Sequence, residues 1–245
     1  MSDIDPFRHH PALRAVITPR ADSFFRDFRA QKVLDMLAEQ GLPADWVHDD
    51  LHREADRQAT LAGRMDDDLW VFGYGSLMWD PGFAFAEVRR ALVNGAARRF
   101  ILVDSNGGRG TPEAPGVMAA LDRDPDDTAA CEGLVFRIAR PDLEVETVSL
   151  WHRERLGTAY ESAFLPAQTA FGTVEALCFV ADHSAENIHA DLDHEAQVRL
   201  CATGEGRLGT SRAYLENLAA HFDTMGIEDA EVDRLLRDVR AYAPD

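Results

Sequence analysis

Ten residues near the end of the first third of the chain restrict it most: Trp70-Val71-Phe72-Gly73-Tyr74-Gly75-Ser76-Leu77-Met78-Trp79. An apolar, strand-like run stops at two glycines one residue apart, and a small hydroxyl residue follows before the chain turns apolar again. Glycine reaches backbone angles closed to other residues and lets another group approach the main chain closely. Successive N–H groups in such a turn can converge on an anion, a carboxylate or a phosphate. The plain alternative is a tight turn between two strands. Two phosphate-binding patterns are excluded. A dinucleotide fingerprint needs a third glycine where Met78 stands, and a P-loop needs Gly-Lys-Ser/Thr, whereas Lys32 is the only lysine of the 245 residues.

The surrounding pattern says what kind of body carries this loop. From Leu69 onward short apolar runs alternate with turns, at 69–72, 88–92, 99–103, 117–121, 131–138, 163–166 and 173–180, which predicts strands. A glycine-rich loop runs from Asn106 to Pro112. One helix is predicted at 142–156, and the last third reads as helices at 185–201, 211–223 and 229–242, with Thr210 as an N-cap and Gly226 as a stop. Upstream, residues 22–40 carry apolar side chains near helical spacing, and a more polar helix is predicted at 50–64. Asp66-Asp67-Asp68 reads as a solvated hinge. The expectation is an α+β fold, a mixed sheet or small barrel with helices around it over 67–245, preceded by a helical extension over 1–66.

A hydrophobic content of 46 % supports a sizeable core. The formal net charge of −18 repels nucleic acid and anionic lipid, so neither is expected as a partner. Cys131, Cys178 and Cys201 form no CxxC pair and are expected as small core residues. The start, Met1-Ser2-Asp3-Ile4-Asp5, lacks the basic and apolar regions of an export signal, and no apolar run reaches membrane-spanning length. The expected location is the cytoplasm.

The helix after Pro141 points a carboxylate the wrong way. At about 100° per residue with Leu143 as zero, Leu150 falls at about −20°, Thr147 at about 40° and Trp151 at about 80°. Glu154 falls at about 20°, inside that apolar stripe, while His152 and Arg153 fall outside it. Burying an ionised carboxylate is costly unless it is paired or protonated. One explanation is a salt bridge to an arginine such as Arg99 or Arg109, or a helix end that reaches solvent. The other is a general acid/base whose pKa burial raises toward working pH. No HExxH motif or Gly-x-Ser-x-Gly elbow is present, so neither a zinc site nor a nucleophilic Ser76 is expected.

These residues resemble the γ-glutamylcyclotransferases of the ChaC type. Gly73 to Leu77 matches that family's Gly-Tyr-Gly-Ser-Leu loop, and Met78-Trp79-Asp80-Pro81 its continuation. Arg153-Glu154 followed by Gly157-Thr158-Ala159-Tyr160 is similar to the stretch that carries its catalytic glutamate. Arg99-Phe100 and Arg109-Gly110-Thr111 with Pro115-Gly116 resemble its arginine-containing strand and loop. Gly206-Arg207-Leu208-Gly209-Thr210 with Tyr214-Leu215 resembles its late glycine-rich turn. Arg207 stands where proline is expected, and Ala159 where many members have glycine.

The resemblance implies a small mixed β-barrel with surrounding helices and a lyase that cyclises the γ-glutamyl group of glutathione to 5-oxoproline, releasing Cys-Gly. It implies Glu154 as the catalytic residue and Phe72, Gly73, Tyr74, Gly75, Ser76, Leu77, Arg109, Tyr160 and Tyr214 as substrate-binding residues. It implies no metal or organic cofactor. Two other readings stand beside it: a cyclotransferase for other γ-glutamyl amines or dipeptides, and a non-catalytic module that binds γ-glutamyl compounds. A buried negative charge at Glu154 beside an anion pocket counts against the second. Phe24, Phe25 and Phe28 could anchor a partner or pack on the host domain; the sequence leaves the oligomeric state open.

Overall fold

A computed structural model describes residues 4–126 and 128–243 of the chain; the Met1–Asp3 start, read above for an export signal, lies outside them. Among the described residues, seven strands form one sheet: β1 (Leu69–Gly73), β2 (Glu87–Asn94), β3 (Ala96–Asp104), β4 (Gly116–Arg123), β5 (Ala130–Ile138), β6 (Tyr160–Thr169) and β7 (Gly172–Ala181). Their order is β1-β5-β2-β6-β7-β4-β3, and β1 also pairs with β7. That extra pairing, parallel through Trp70 with Ala176 and Val71 with Leu177, closes β1, β5, β2, β6 and β7 into a ring. The expected small mixed barrel is therefore present, with β4 and β3 as an added flap.

Strand alternation divides the barrel's core in two, and a smaller third cluster with Ile101, Leu102 and Ala120 lies under the segment around Ala185 and Ile188. Val71, Val88, Leu134, Phe136, Leu177 and Phe179 lie in one apolar cluster with side chains from the helices α3 (Leu143–Glu154), α5 (Ser211–Met225) and α6 (Ala230–Ala241). The alternate positions Phe72, Ala91, Val93, Val135, Ala176 and Val180 form a second cluster that also holds Cys131 and Cys178. β1, β4, β5 and β7 are thus buried on both faces over most of their length, which is why they read as nearly continuous apolar runs, whereas β6 keeps only Ala167 fully buried. All three cysteine thiols are buried; burial pushes Cys131 up to about 11 and Cys178 and Cys201 up to about 12. Phe7, Leu13, Ile17 and Leu61 of the first 66 residues share the first cluster with the barrel.

Two predicted helices begin nine residues later than their sequence pattern, and the helices predicted at 50–64 and 142–156 are trimmed to Asp50–Thr60 and Leu143–Glu154. The run 22–40 is helical only as α1 (Gln31–Gln40). Before it, Asp27 takes φ +51°, the Ser23 hydroxyl accepts the Phe25 N–H at 3.0 Å, and it also pairs with the Asp80 carboxylate. A serine side chain that bonds nearby backbone competes with helix formation. Phe24, Phe25 and Phe28 consequently cluster with one another instead of lining a helix face.

The second case is the run 185–201, where α4 begins only at His194 and continues to Thr203. The preceding residues are taken by the sheet: Val103 N–H donates to Asn187 O at 2.9 Å and His189 N–H to Ile101 O at 2.8 Å. Asp193 then caps α4 by accepting the Ala196 N–H. The remaining early helix is α2 (Asp50–Thr60). The late glycine-rich turn is a two-strand hairpin, β8 (Glu205–Gly206) with β9 (Gly209–Thr210), and Thr210 caps α5 as expected. Among the described residues, no helix is long and apolar enough to cross a membrane.

Candidate active site

The glycine loop follows from the end of β1. Ser76–Met78 forms one tight helical turn, in which Met78 N–H donates to Gly75 O and both Trp79 and Asp80 N–H donate to Ser76 O. The N–H groups of Gly75, Ser76 and Leu77 have no protein acceptor among the described residues. They are donors that an anion can use. At Gly75 a Cβ would stand 3.0 Å from the Tyr214 hydroxyl, so a larger residue would press on that side chain.

Buried Arg98 fixes the loop from behind. Its Nε donates to Tyr74 O at 2.7 Å, and its other nitrogens reach Glu132 O and the Asp229 carboxylate. This corrects the expectation for Arg99, which is exposed and meets Asp122 at 3.5 Å, well away from Glu154. Alternation along β3 explains the difference, since Arg98 shares the face of buried Phe100 and Arg99 takes the opposite one.

Glu154 ends α3 with its side chain 12 % exposed, and its partner is its own neighbour. Arg153 Nε lies 2.8 Å from Glu154 Oε1, so the salt bridge is to neither Arg99 nor Arg109. The helical count also places Arg153 outside the stripe, yet this side chain is only 6 % exposed. The long stem carries the guanidinium inward, where it donates to Ser76 Oγ at 2.9 Å and Asp80 O at 2.6 Å. Burial pushes the Glu154 carboxyl above the usual carboxylate range, opposed by the charge and hydrogen bond of Arg153. The pair is close to neutral as a unit. Glu154 therefore does not repel an incoming anion as an isolated carboxylate would.

These groups open into one cleft of about 1000 Å³. Tyr74, Gly75, Ser76, Leu77, Arg109, Glu154, Tyr160 and Tyr214 line it. Phe72 and Gly73 do not: the Phe72 ring lies in the second core cluster, and Gly73 is packed against Leu77, whose Cβ would be 3.1 Å from a Cβ placed there. Burial raises the Tyr74 and Tyr160 hydroxyls, and pushes Tyr214 up to about 12, so all three stay protonated donors near neutrality. Arg109 extends from a loop organised by buried Asp104, whose carboxylate accepts the N–H groups of Asn106 and Arg109. Among the described residues the Arg109 guanidinium hydrogen-bonds only to Thr210 O, at 3.5 Å, stands 5.9 Å from the Tyr214 ring centroid, and has no carboxylate partner. No group of three or more His, Cys, Asp or Glu side chains among the described residues is disposed to hold a metal ion.

The family model for ChaC-like proteins matches residues 69–242, which takes in the loop, Arg109, the Arg153–Glu154 pair and Tyr214. The chain belongs to the ChaC-like family. The glutathione-specific gamma-glutamylcyclotransferase of Escherichia coli K12 is 34 % identical over 190 residues, 77 % of this chain and 80 % of that protein. A protein named glutathione-specific gamma-glutamylcyclotransferase 1 from Danio rerio is 30 % identical over 165 residues, 66 % of this chain and 82 % of its own length. The crystal structure of the γ-glutamyl cyclotransferase specific to glutathione from yeast superposes with a TM-score of 0.65 at 21 % identity, covering 72 % of this chain and 97 % of that one, a likeness of fold.

The ChaC-like match starts at residue 69, but the wall of the cleft does not. Phe24, Phe25, Phe28, Met36 and Trp46 line it from the preceding segment. Reading the sequence for site residues missed Arg98 and that wall, and gave Arg153 no contact of its own. Neither carried a local signal: Arg98 lies two residues from buried Phe100, but Arg99 lies two residues from equally buried Ile101.

Proposed function

We propose that this ChaC-like protein cyclises the γ-glutamyl group of glutathione to 5-oxoproline and releases Cys-Gly, a carbon–nitrogen lyase reaction. One observation carries the reading. A buried carboxyl, Glu154, is bound to the arginine that also holds Ser76, in the same cleft as three main-chain N–H donors. The names of the E. coli and zebrafish relatives support glutathione as the substrate.

In this reading the N–H groups of Gly75, Ser76 and Leu77 take the substrate's α-carboxylate. The extended γ-glutamyl chain then folds so that its α-amine faces its own γ-carbonyl carbon. Intramolecular orientation of this kind can lower a barrier by roughly 7–11 kcal/mol. Glu154 accepts a proton from the amine as the new nitrogen–carbon bond forms. It returns that proton to the cysteine amide nitrogen as the old carbon–nitrogen bond breaks. No enzyme nucleophile is needed, and one carboxyl serves as base and then acid. A pKa raised by burial suits both steps better than an ordinary glutamate would. The tyrosine hydroxyls can donate to the γ-carbonyl oxygen as charge builds on it. Arg109, lacking a carboxylate partner, is the counter-charge for the glycine carboxylate at the far end of the substrate.

The cytoplasm is the compartment in which we place the reaction, in keeping with three free, buried thiols. Product analysis of the purified protein with glutathione and with γ-glutamyl-alanine tests the proposal. Formation of 5-oxoproline and Cys-Gly from glutathione at the higher kcat/KM is expected. Equal or better turnover of γ-glutamyl-alanine would assign the broader cyclotransferase activity, and binding without product on prolonged incubation would assign a binding module.

A further inference from the structure

Helix α3 delivers Glu154, and the segment ahead of the barrel grips that helix along its whole length. At its start, Arg57 pairs with Glu144 at 2.7 Å and donates to Thr147 Oγ1 at 3.0 Å. In the middle, Arg20 meets Glu146 at 3.0 Å and Trp151 Nε1 donates to Asp56 at 2.7 Å. At its end, the His152 ring accepts the Ala30 N–H and Leu156 O accepts the His48 N–H. All of these partners, from Arg20 to Arg57, precede the ChaC-like match at residue 69.

One contact reaches the reacting centre. The Phe25 ring lies over the Arg153 guanidinium, 3.8 Å from ring centroid to Cζ. Phe25 is itself locked in place. A Cβ at Gly82 would sit 2.6 Å from Phe25 Cβ and 3.2 Å from its backbone, and Gly82 takes φ +75°, so only glycine lets the two chains pass. The aromatic face is attractive to a desolvated guanidinium and closes it from water. Arg153 in turn holds Glu154 and Ser76.

We infer that residues 20–57 form a built-in clamp on α3, and that Phe25 is the positioning residue that holds Arg153, and through it Glu154, in line for proton transfer. Its consequence for rate rests on the function proposed above; its geometric content does not.

The test uses the full-length chain and two readouts. The first is hydrogen exchange of the Arg153 Nε–H by nuclear magnetic resonance, the signal being assigned by its loss in Arg153→Lys. The second is kcat and KM with glutathione. Phe25→Leu keeps apolar bulk without an aromatic face, and Phe25→Tyr keeps the face. In Phe25→Leu the Arg153 Nε–H is expected to exchange at least tenfold faster and kcat to fall about tenfold, with KM changed less than threefold. Phe25→Tyr is expected to stay within threefold of wild type in both. Unchanged exchange in Phe25→Leu overturns the inference, as does a change in KM alone, which would make Phe25 a wall of the cleft and nothing more. Equal losses in Phe25→Tyr would likewise overturn it. Should wild type yield no 5-oxoproline, the proposed reaction fails, while the exchange rates still decide the clamp.

Discussion

Arg153 and Glu154 are consecutive in sequence and bonded to each other, Nε to Oε1 at 2.8 Å, at the last turn of α3. Consecutive residues inside a helix do not face each other. The pair forms here because the long arginine stem carries the guanidinium back across the end of α3, next to the carboxyl of its last helical residue. The same guanidinium donates to Ser76 Oγ, so a single side chain connects the proposed proton carrier to the proposed anion loop.

Replacing Glu154 by Gln should keep the fold, since an amide oxygen can still accept from Arg153. It should lower turnover by about a hundredfold or more, the usual weight of a positioned acid/base. Mass-spectrometric yield of 5-oxoproline from glutathione, with circular dichroism as the folding check, measures this. A yield near wild type would remove Glu154 from the chemistry.

Arg153→Met tests the pair from the other side. Arg153 holds the Glu154 pKa down against the larger upward push of burial, so its loss sends that pKa higher. The base proposed for Glu154 would work ionised, and the acidic limb of kcat/KM should therefore move to higher pH. Stability should follow the same sign. A carboxyl raised above its unfolded value contributes most below that unfolded value and loses its contribution as pH rises through the folded one. Breaking a buried pair typically costs ~3–5 kcal/mol. Urea unfolding at pH 5 and pH 8 should show the deficit against wild type widening at pH 8; a constant deficit would contradict the assignment.

Gly75 and Tyr214 should behave as a coupled pair. A Cβ on Gly75 meets the Tyr214 hydroxyl at 3.0 Å, so Gly75→Ala should reduce kcat/KM about tenfold by moving the loop or the ring. Removing the hydroxyl with Tyr214→Phe makes room, and the double variant should be more active than the two single effects predict. Simple additivity would show that the two residues act independently.

Arg109→Met should raise KM for glutathione at least tenfold, the weight of one charge-assisted contact. A γ-glutamyl compound whose leaving amine carries no carboxylate should change less than twofold. Steady-state kinetics on both substrates decides; equal losses on the two would place Arg109 elsewhere in the reaction.

Much of the site was legible because it is local. The two glycines after an apolar strand and an acid at an apolar helical position are patterns of adjacent residues, and both loop and acid line the cleft. The side-chain partners were harder to read. Whether Arg98 or Arg99 turns inward depends on the parity of β3, which the sequence leaves open because Phe100 and Ile101 are both apolar and buried and a register shift follows Phe100. Arg153 was misplaced because helical angles locate a Cβ, whereas an arginine head travels several ångströms from it. The barrel was expected, but its closure through β1 and β7 joins residues about a hundred positions apart and leaves no local mark. The phenylalanines of 24–28 looked helical because spacing alone cannot register the competing bonds of Ser23.

The buried sulfurs bear on the company this molecule keeps. Forming a mixed disulfide requires a thiolate that can reach the incoming sulfur. Cys131, Cys178 and Cys201 are enclosed and stay protonated near neutrality, with pKa values pushed up to about 11 and 12. None of the three lines the cleft, so a disulfide entering it meets no sulfur of this chain with which to trade partners.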